Sequence, residues 1–209
     1  MIPKIIHQVW IGPKPIPEYC LSYMQTWKDN HPGYEFKFWN NNNLPELPSK
    51  VKEQFDRYGE KEKWAFQCDV LRLYLINKFG GVYVDVDYES YRNIDDLLVK
   101  KMFFVIRYPE SHWIPNSVFG SEPNNPIFTY IIENMKKQAM HGPIFLGREI
   151  KRYLNLGLEK EIKCTAIVEK CKKRDDILCV PGEYFFNKKF ANKYAYHDAL
   201  QSWLPKNED

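Results

Sequence analysis

The sequence predicts a single α/β domain over residues 1–209, with a mainly parallel sheet and helices on both of its faces. The chain of 209 residues has the size of one domain. Hydrophobic residues make up 44% and aromatic residues 16% of it, which is enough to build a sizeable core. Short apolar runs alternate with segments of helical length, an order typical of parallel sheets covered by helices.

The individual elements follow from the spacing of apolar residues and from the turn residues between them. The proline-rich stretch IGPKPIP ends the first strand, and the alternating stretch YEFKFW is typical of a half-buried strand. The pair Gly80-Gly81 ends a helix, because glycine can adopt the left-handed conformation of a C-terminal cap. We predict strands at residues 4–10, 34–39, 82–86, 102–106, 117–120 and 177–180, a loop at 40–48, and helices ending near residue 30 and covering about 62–79, 126–140 and 143–154.

Charge and cysteine content limit the partners and the compartment. The net charge of +3 is too small to require a nucleic-acid partner, although a slight basic excess suits an anionic ligand. The five cysteines lack zinc-ligand spacing and are typical of reduced thiols. The N-terminus lacks the apolar run of a signal peptide and no segment has membrane-spanning length, so we expect a soluble cytoplasmic protein. The basic stretch EKCKKRDD is bracketed by acids, which favours a solvated face, with peripheral contact at the inner face of a membrane as the alternative.

The stretch GGVYVDVD ends an apolar strand on two carboxylates. Side chains at positions i and i+2 of a strand project to one face, so Asp85 and Asp87 should converge. Two adjacent carboxylates repel each other unless a cation lies near them, and a divalent ion such as Mg²⁺ or Mn²⁺ prefers such oxygen ligands. Open α/β sheets bind their ligands beyond the carboxyl ends of the strands. The pattern therefore favours a metal site over the alternative, a solvated acidic loop.

The helix before this strand carries two unexpected charges. Arg72 projects into the apolar arc of the helix, and Asp69 lies on the flank of that arc. A core-facing helix rarely carries an unexplained charge. The two side chains form either a structural ion pair or, as we favour, a polar cleft that binds a ligand, because the same helix leads directly into the aspartate pair.

Two further residues are candidates for the same edge of the sheet. Trp10 ends the first strand and could stack on a planar base, although tryptophan is more often a core residue. His197 lies six residues before Trp203 and could complete a metal site begun by the two aspartates, although a lone histidine is more often a surface or capping residue.

The blocks IIHQVWIG, TWKDNHPGYEFKFWN and CDVLRLYLINKFGGVYVDVD, together with the H-x5-W ending, resemble the D-x-D sugar transferases of glycosyltransferase family 32. That family includes bacterial capsular-polysaccharide enzymes and fungal mannosyltransferases, and its core is similar to that of the large clostridial glucosylating toxins. The matching blocks extend from residue 2 to residue 203. The resemblance implies a GT-A fold with a Rossmann-like sheet, a nucleotide-sugar donor and a divalent metal, with Mn²⁺ favoured and Mg²⁺ as the alternative.

The resemblance also implies roles for individual residues. Asp69, Arg72 and Asp87 would be catalytic. The donor would contact residues at both ends of the chain, namely Val9, Trp10, Asp69, Arg72, Tyr83, Asp85, Asn116, Ser202 and Trp203. The metal would be held by Asp85, Asp87 and His197.

Within this set, Val9 and Trp10 would pack on the nucleotide base, and VWIG is closest to versions that use uridine. Asp69 and Arg72 would grip the donor sugar and position the leaving group. The segment around Ser202 would close over the diphosphate. The sequence departs from the family pattern there, because Gln201 stands where glycine is usual.

The resulting expectation is a retaining transfer of a hexose from a nucleotide sugar, with UDP favoured, to a saccharide or lipid-linked saccharide acceptor in bacterial surface-polysaccharide synthesis. The alternatives are a GDP-mannose-dependent mannosyltransferase, a nucleotidyltransferase that uses Glu89 as a third carboxylate, and a non-catalytic nucleotide-sugar binding module. Residues 107–116 and the segment after residue 154 are the candidate acceptor loops. Motifs of P-loop, GxGxxG and HExxH enzymes are missing from the sequence.

Overall fold

The structure is a computed structural model that describes residues 1–111, 114–134, 142–156 and 163–198. Its strands are β1 (Ile5–Trp10), β2 (Glu35–Asn40), β3 (Gly81–Val84), β4 (Tyr88–Ser90), β5 (Met102–Ile106), β6 (Val118–Ser121), β7 (Ile177–Pro181) and β8 (Ala195–His197). Its α-helices are α1 (Glu18–Asn30), α2 (Ser49–Gly59), α3 (Trp64–Phe79), α4 (Pro126–Glu133), α5 (Gly142–Tyr153), α6 (Cys164–Lys172) and α7 (Glu183–Phe186). No helix in these ranges is long and apolar enough to span a membrane.

The central sheet has six strands in the order β2-β1-β3-β6-β5-β7. Strand β1 runs parallel to β2 and β3, and β5 runs parallel to β7. Only β6 among these six strands is antiparallel to its neighbours, β3 and β5. The predicted mainly parallel sheet is therefore confirmed. Strands β4 and β8 form a separate antiparallel pair.

Both faces of the sheet are covered, as predicted. Tyr83 and Phe104 point toward the face that α2, α3 and α4 cover. The alternate residues of the same strands, such as Val82 and Phe103, point to the opposite face, where Trp27 of α1 lies. This alternation is the two-residue period of a strand buried on both sides.

The six predicted strands are present, with ends within two residues of the predicted ones. Helix α3 begins two residues later than predicted, and α4 ends at Glu133, while residues 135–141 lie outside the described part of the chain. Helices α2, α6 and α7 and strands β4 and β8 were not predicted from the sequence. Helix α2 follows a loop rich in asparagine and proline, and its buried side chains are few, Val51, Gln54, Phe55 and Tyr58.

The end of β3 corrects a specific prediction. The strand stops at Val84, and residues 85–87 form a turn into β4 instead of continuing the strand to residue 86. The Asp85 amide donates to the Ser117 carbonyl at 2.9 Å, and the Tyr88 amide donates back to the Asp85 carbonyl at 3.3 Å. The argument that both aspartates project from one face of a strand is therefore wrong, and their proximity has another cause.

Gly80 ends α3 as predicted, although in a different conformation. Its φ of 65° is positive, but its ψ of −160° lies outside the left-handed helical region. This combination is essentially restricted to glycine. It turns the chain directly from α3 into β3, which places the aspartates next to the helix that carries Arg72.

Candidate active site

A cavity of about 900 Å³ opens at the edge of the sheet where β1, β3 and β5 end and β6 begins. Its wall includes one residue or more from each of these strand ends, among them Trp10, Asp85, Arg107 and Ser117. This location agrees with the expected binding edge of an open α/β sheet.

The pairing of β4 with β8 assembles an acidic cluster with a histidine. Tyr88 lies opposite His197 in this pair, and the Asp198 amide donates to the Asp87 carbonyl at 3.0 Å. Nε2 of His197 lies 3.1 Å from Oδ1 of Asp87. Oxygen and nitrogen atoms of Asp85, Asp87 and His197 all lie within 4.8 Å of one another. The predicted metal ligands therefore meet, although two short strands, and not one long strand, bring them together.

Two aromatic rings hold the imidazole of His197 in place. The ring of Tyr88 is parallel to it with centroids 4.3 Å apart, and the ring of Phe186 meets it edge-on at 5.8 Å. Tyr88 is itself fixed by a 2.9 Å hydrogen bond between its hydroxyl and that of Ser117. Rigid support of this kind keeps a ligand in one orientation.

The three side chains fit a divalent cation. Two carboxylate oxygens and one imidazole nitrogen are a mixed donor set that first-row metals such as Mn²⁺ accept. Burial raises the pKa of Asp85 above its ordinary value, Arg72 opposes this shift, and the neighbouring Asp87 carboxylate adds to it. A bound cation would relieve both the burial cost and the repulsion between the carboxylates.

The second group of the site consists of Asp69, Arg72 and Asn116. Nη1 of Arg72 donates to the Asn116 carbonyl at 2.6 Å, and Nη2 lies 3.4 Å from Oδ1 of Asp69. The Asn116 side-chain amide donates to the same Asp69 oxygen at 2.7 Å. These three residues line the cavity, so the ion pair and the polar cleft, which were alternatives in the sequence, coexist.

Arg72 connects this group to the acidic cluster. Its Nη1 lies 3.2 Å from Oδ1 of Asp85, and its guanidinium carbon lies 4.5 Å from the centre of the Tyr83 ring. Burial disfavours the charged form, yet the charges of Asp85 and Asp69 keep the pKa of Arg72 above its ordinary value. The residue is therefore a fixed, permanently charged group in the cavity wall.

The remaining predicted donor residues lie at the same edge or outside the described residues. Val9 is buried, and Trp10 is half-buried, with its indole N–H donating to the Lys14 carbonyl at 2.7 Å. Tyr83 is buried, and its hydroxyl donates to Oδ1 of Asp85 at 2.5 Å, so it supports that carboxylate. The positions of Ser202, Trp203 and Gln201 are not described, and the loop predicted to close over a diphosphate stays a prediction.

Sequence reasoning missed Tyr88, which supports His197, and named Arg107 only as part of the candidate acceptor loop at residues 107–116. Arg107 directly follows the predicted strand at residues 102–106, so the rule that identified the aspartates applied to it as well. In contrast, Glu89 does not join the acidic cluster among the described residues, and its carboxylate accepts a hydrogen bond from the Tyr91 hydroxyl. Glu89 therefore does not supply the third carboxylate that the nucleotidyltransferase alternative requires.

Solved structures confirm the predicted GT-A fold. The structure described as PaToxG glycosyltransferase superposes with a TM-score of 0.62 at 18% identity, over 74% of this chain and 70% of that one. The UDP-bound glycosyltransferase domain from the YGT toxin superposes with a TM-score of 0.54 at 10% identity, over 85% of this chain and 79% of that one. At such low identity the similarity concerns the fold alone.

Sequence relatives are similar over part of their length. An uncharacterised glycosyltransferase of Acanthamoeba polyphaga mimivirus is 31% identical over 141 residues, 65% of this chain and 56% of the relative. Inositol phosphoceramide mannosyltransferase 2 of Schizosaccharomyces pombe is 31% identical over 140 residues, 66% of this chain and 40% of the relative. Mannosyl phosphorylinositol ceramide synthase SUR1 of Saccharomyces cerevisiae is 29% identical over 169 residues, 73% of this chain and 43% of the relative. The chain thus spans about half the length of the curated relatives it matches.

The family described as "Glycosyltransferase sugar-binding region containing DXD motif" matches residues 17–104. This range contains Asp69, Arg72, Asp85 and Asp87, which the structure gathers at the cavity. Residues 17–104 therefore match the DXD sugar-binding region that this family model describes, and the resemblance predicted from the sequence is confirmed.

Proposed function

We propose that this protein is a metal-dependent glycosyltransferase that moves a hexose from a nucleotide sugar to a hydroxyl group of a saccharide acceptor. The observation that supports this most directly is the convergence of two groups on one cavity. The cluster of Asp85, Asp87 and His197 suits a cation and a diphosphate, and Asp69 with Arg72 offers hydrogen-bonding groups for a sugar.

In this reaction the bond between the anomeric carbon and the diphosphate oxygen breaks, and its electron pair stays on that oxygen. The acceptor oxygen bonds to the same carbon, and its hydroxyl proton passes to the departing diphosphate. The leaving diphosphate gains negative charge. A divalent cation held by the acidic cluster supplies Lewis-acid compensation for that charge when it is bound. Arg72, held by Asn116 and two carboxylates, adds a positive charge whose position is fixed before the reaction begins.

Asp69 is suited to bind the donor sugar. One of its carboxylate oxygens is 3.4 Å from Arg72 and accepts from Asn116 at 2.7 Å, and this fixes the orientation of the side chain. An ionised carboxylate in a fixed orientation can accept hydrogen bonds from sugar hydroxyls. The implied retention of anomeric configuration is part of the proposal and rests on the family resemblance.

Two lines of support point to different donors. The VWIG block is closest to versions that use uridine, and one structural neighbour is a UDP-bound domain. The names of several sequence relatives instead favour mannose, which keeps GDP-mannose as the second donor candidate. A role in bacterial surface-polysaccharide synthesis rests on the sequence resemblance alone.

The test is release of nucleoside diphosphate from a panel of UDP- and GDP-sugars, with and without Mn²⁺. We expect one donor to be hydrolysed only with the metal, and Asp87→Asn to lower that rate by about a hundredfold or more. Asp175→Asn, which changes an exposed aspartate in the bend before β7, is the matched control and should be unaffected. Equal rates for the wild type and Asp87→Asn, or turnover that is independent of metal, would contradict the proposal.

The binding-module alternative gives a different result in the same experiment. Calorimetry would then detect tight donor binding, and no nucleotide would be released during long incubation. The hydrogen-bonded Asp69–Arg72–Asn116 group argues against this alternative, because binding alone does not require a buried arginine against the leaving group.

A further inference from the structure

Arg107 lies in the cavity wall and has no acidic partner among the described residues. Its guanidinium makes no hydrogen bond or ion pair with any residue in the described ranges, and its recorded contacts there are aromatic rings. The guanidinium carbon lies 4.9 Å from the centre of the Phe186 ring and 5.1 Å from that of Tyr108. Aromatic rings can hold a guanidinium in place while leaving its N–H groups available for an oxyanion.

The backbone beneath Arg107 is held firmly. Gly182 packs so closely that an added Cβ would lie 2.6 Å from the Arg107 Cα. A few residues further on, the carbonyls of Pro109 and Ser111 accept hydrogen bonds from the Thr165 and Cys164 amides at the start of α6. These bonds satisfy amides that a helix leaves open at its first turn. The segment that presents Arg107 is thus anchored to both β7 and α6.

The position of Arg107 separates it from the nucleotide end of the cavity. It follows β5, which lies two strands from β3 on the side away from β1. Neighbouring strands are about 4.8 Å apart, so the end of β5 lies roughly 10 Å across the sheet from the end of β3. Phe186 contacts both Arg107 and His197, so the arginine lies one ring away from the acidic cluster. A donor that extended from Trp10 to the cluster would leave Arg107 on the part of the cavity wall that such a donor does not occupy.

We propose that Arg107 binds a phosphate group carried by the acceptor, so that the enzyme selects phosphorylated saccharides or polyols over neutral ones. This inference rests on the proposed function, since it assigns the acceptor of that reaction. Phosphate fits better than a single hydroxyl because it offers several acceptor oxygens and a formal charge to a planar, bidentate donor. Solvent weakens the attraction between an exposed guanidinium and an anion. A multiply charged phosphate therefore binds there more strongly than a singly charged group.

Binding can be tested independently of catalysis. Calorimetry in the presence of Mn²⁺ and the nucleoside diphosphate would compare myo-inositol 1-phosphate with myo-inositol, and glucose 6-phosphate with glucose. We expect the phosphorylated member of at least one pair to bind about tenfold to a hundredfold more tightly, and Arg107→Gln to abolish that difference. Arg107→Lys should retain part of it. Arg92→Gln is the matched control, because Arg92 also contacts an aromatic ring but lies outside the cavity.

Kinetic measurements then show whether Arg107 acts on the acceptor or on the donor. Arg107→Gln should leave metal-dependent donor hydrolysis within about twofold of the wild type while transfer to the phosphorylated acceptor falls about tenfold to a hundredfold. An equal loss of hydrolysis and transfer would overturn the inference, because Arg107 would then act on the donor diphosphate. Equal binding of the two members of every pair by the wild type would also overturn it. If no donor is hydrolysed, the proposed function fails, and calorimetry alone decides the role of Arg107.

Discussion

Lowering the pH should destabilise the protein through His7, a fully buried histidine of β1. Nδ1 of His7 accepts a hydrogen bond from the Trp39 indole at 3.1 Å, so Nε2 carries the proton and donates to the Gly80 carbonyl at 2.9 Å. Burial lowers the pKa of His7 from 6.5 to about 4, and the charge of Lys37 contributes to the shift. The neutral ring satisfies both nitrogens, whereas a protonated Nδ1 would point at the indole donor.

The magnitude follows from the linkage between proton binding and folding. Between about pH 6.5 and pH 4 the unfolded chain binds a proton at His7 and the folded protein does not. The contribution of the neutral histidine to the free energy of unfolding is therefore complete above pH 6.5 and decreases as the pH falls. The loss is about 2 kcal/mol between pH 8 and pH 5, and about 3 kcal/mol once the pH is below 4.

Urea unfolding at several pH values between 8 and 5 measures this loss. His7→Gln is the comparison, since glutamine also offers one donor and one acceptor but does not titrate. The free-energy difference between wild type and variant should shrink by about 2 kcal/mol across this range. His31, whose burial also lowers its pKa, is present in both proteins and does not affect the difference. Parallel pH profiles of the two proteins would refute the reasoning.

Three further predictions concern the site and its supports. Tyr88→Leu should weaken Mn²⁺ binding about tenfold in calorimetry, because it removes the ring stacked on His197. Tyr88→Phe keeps that ring and should bind Mn²⁺ nearly as tightly as the wild type does. Asn116→Ala should lower kcat/KM for donor hydrolysis about tenfold through loss of the hydrogen bond to Asp69, and a value within twofold of the wild type would contradict this role. Gly80→Ala should lower the free energy of unfolding by about 1–3 kcal/mol, because its backbone conformation is restricted to glycine; an unchanged denaturation midpoint would disprove that strain.

Much of the central sheet could be predicted from the sequence because each strand has a strong local signal. Alternation of polar and aromatic residues marks β2, and a continuous apolar run marks β5. The pair of β4 and β8 has no such signal, since each strand has three residues and depends on a partner distant in sequence. The end of β3 was also predicted wrongly. Val86 continues the apolar alternation of the strand, but it lies in the turn after β3, where its side chain packs with Cys20 and Met24.

Residues of the site could be predicted where the pattern within a single helix or strand was enough to identify them. A helical projection of α3 was sufficient to identify Asp69 and Arg72 as unusual, and the DVD sequence was sufficient to suggest a cation. The hydrogen bond from Arg72 to the Asn116 carbonyl was beyond such reasoning, because it depends on the path of a loop that joins two strands. Arg107 begins the stretch 107–116 that was predicted as an acceptor loop, but nothing in the sequence distinguishes it from the other residues of that stretch.

Because residues 85–87 form a turn, Asp85 and Asp87 are held in place by different parts of the structure. Asp85 is held by β3, by the Ser117 carbonyl and by Arg72. Asp87 is held by the pairing of β4 with β8, which carries His197. Val86, between them, is buried against α1 together with Cys20 and Met24, and Trp10 packs on the same cluster. The middle residue of the motif therefore anchors the turn to α1 and to Trp10 at the end of β1, so that one tripeptide connects β3, the β4–β8 pair and α1 at the cavity.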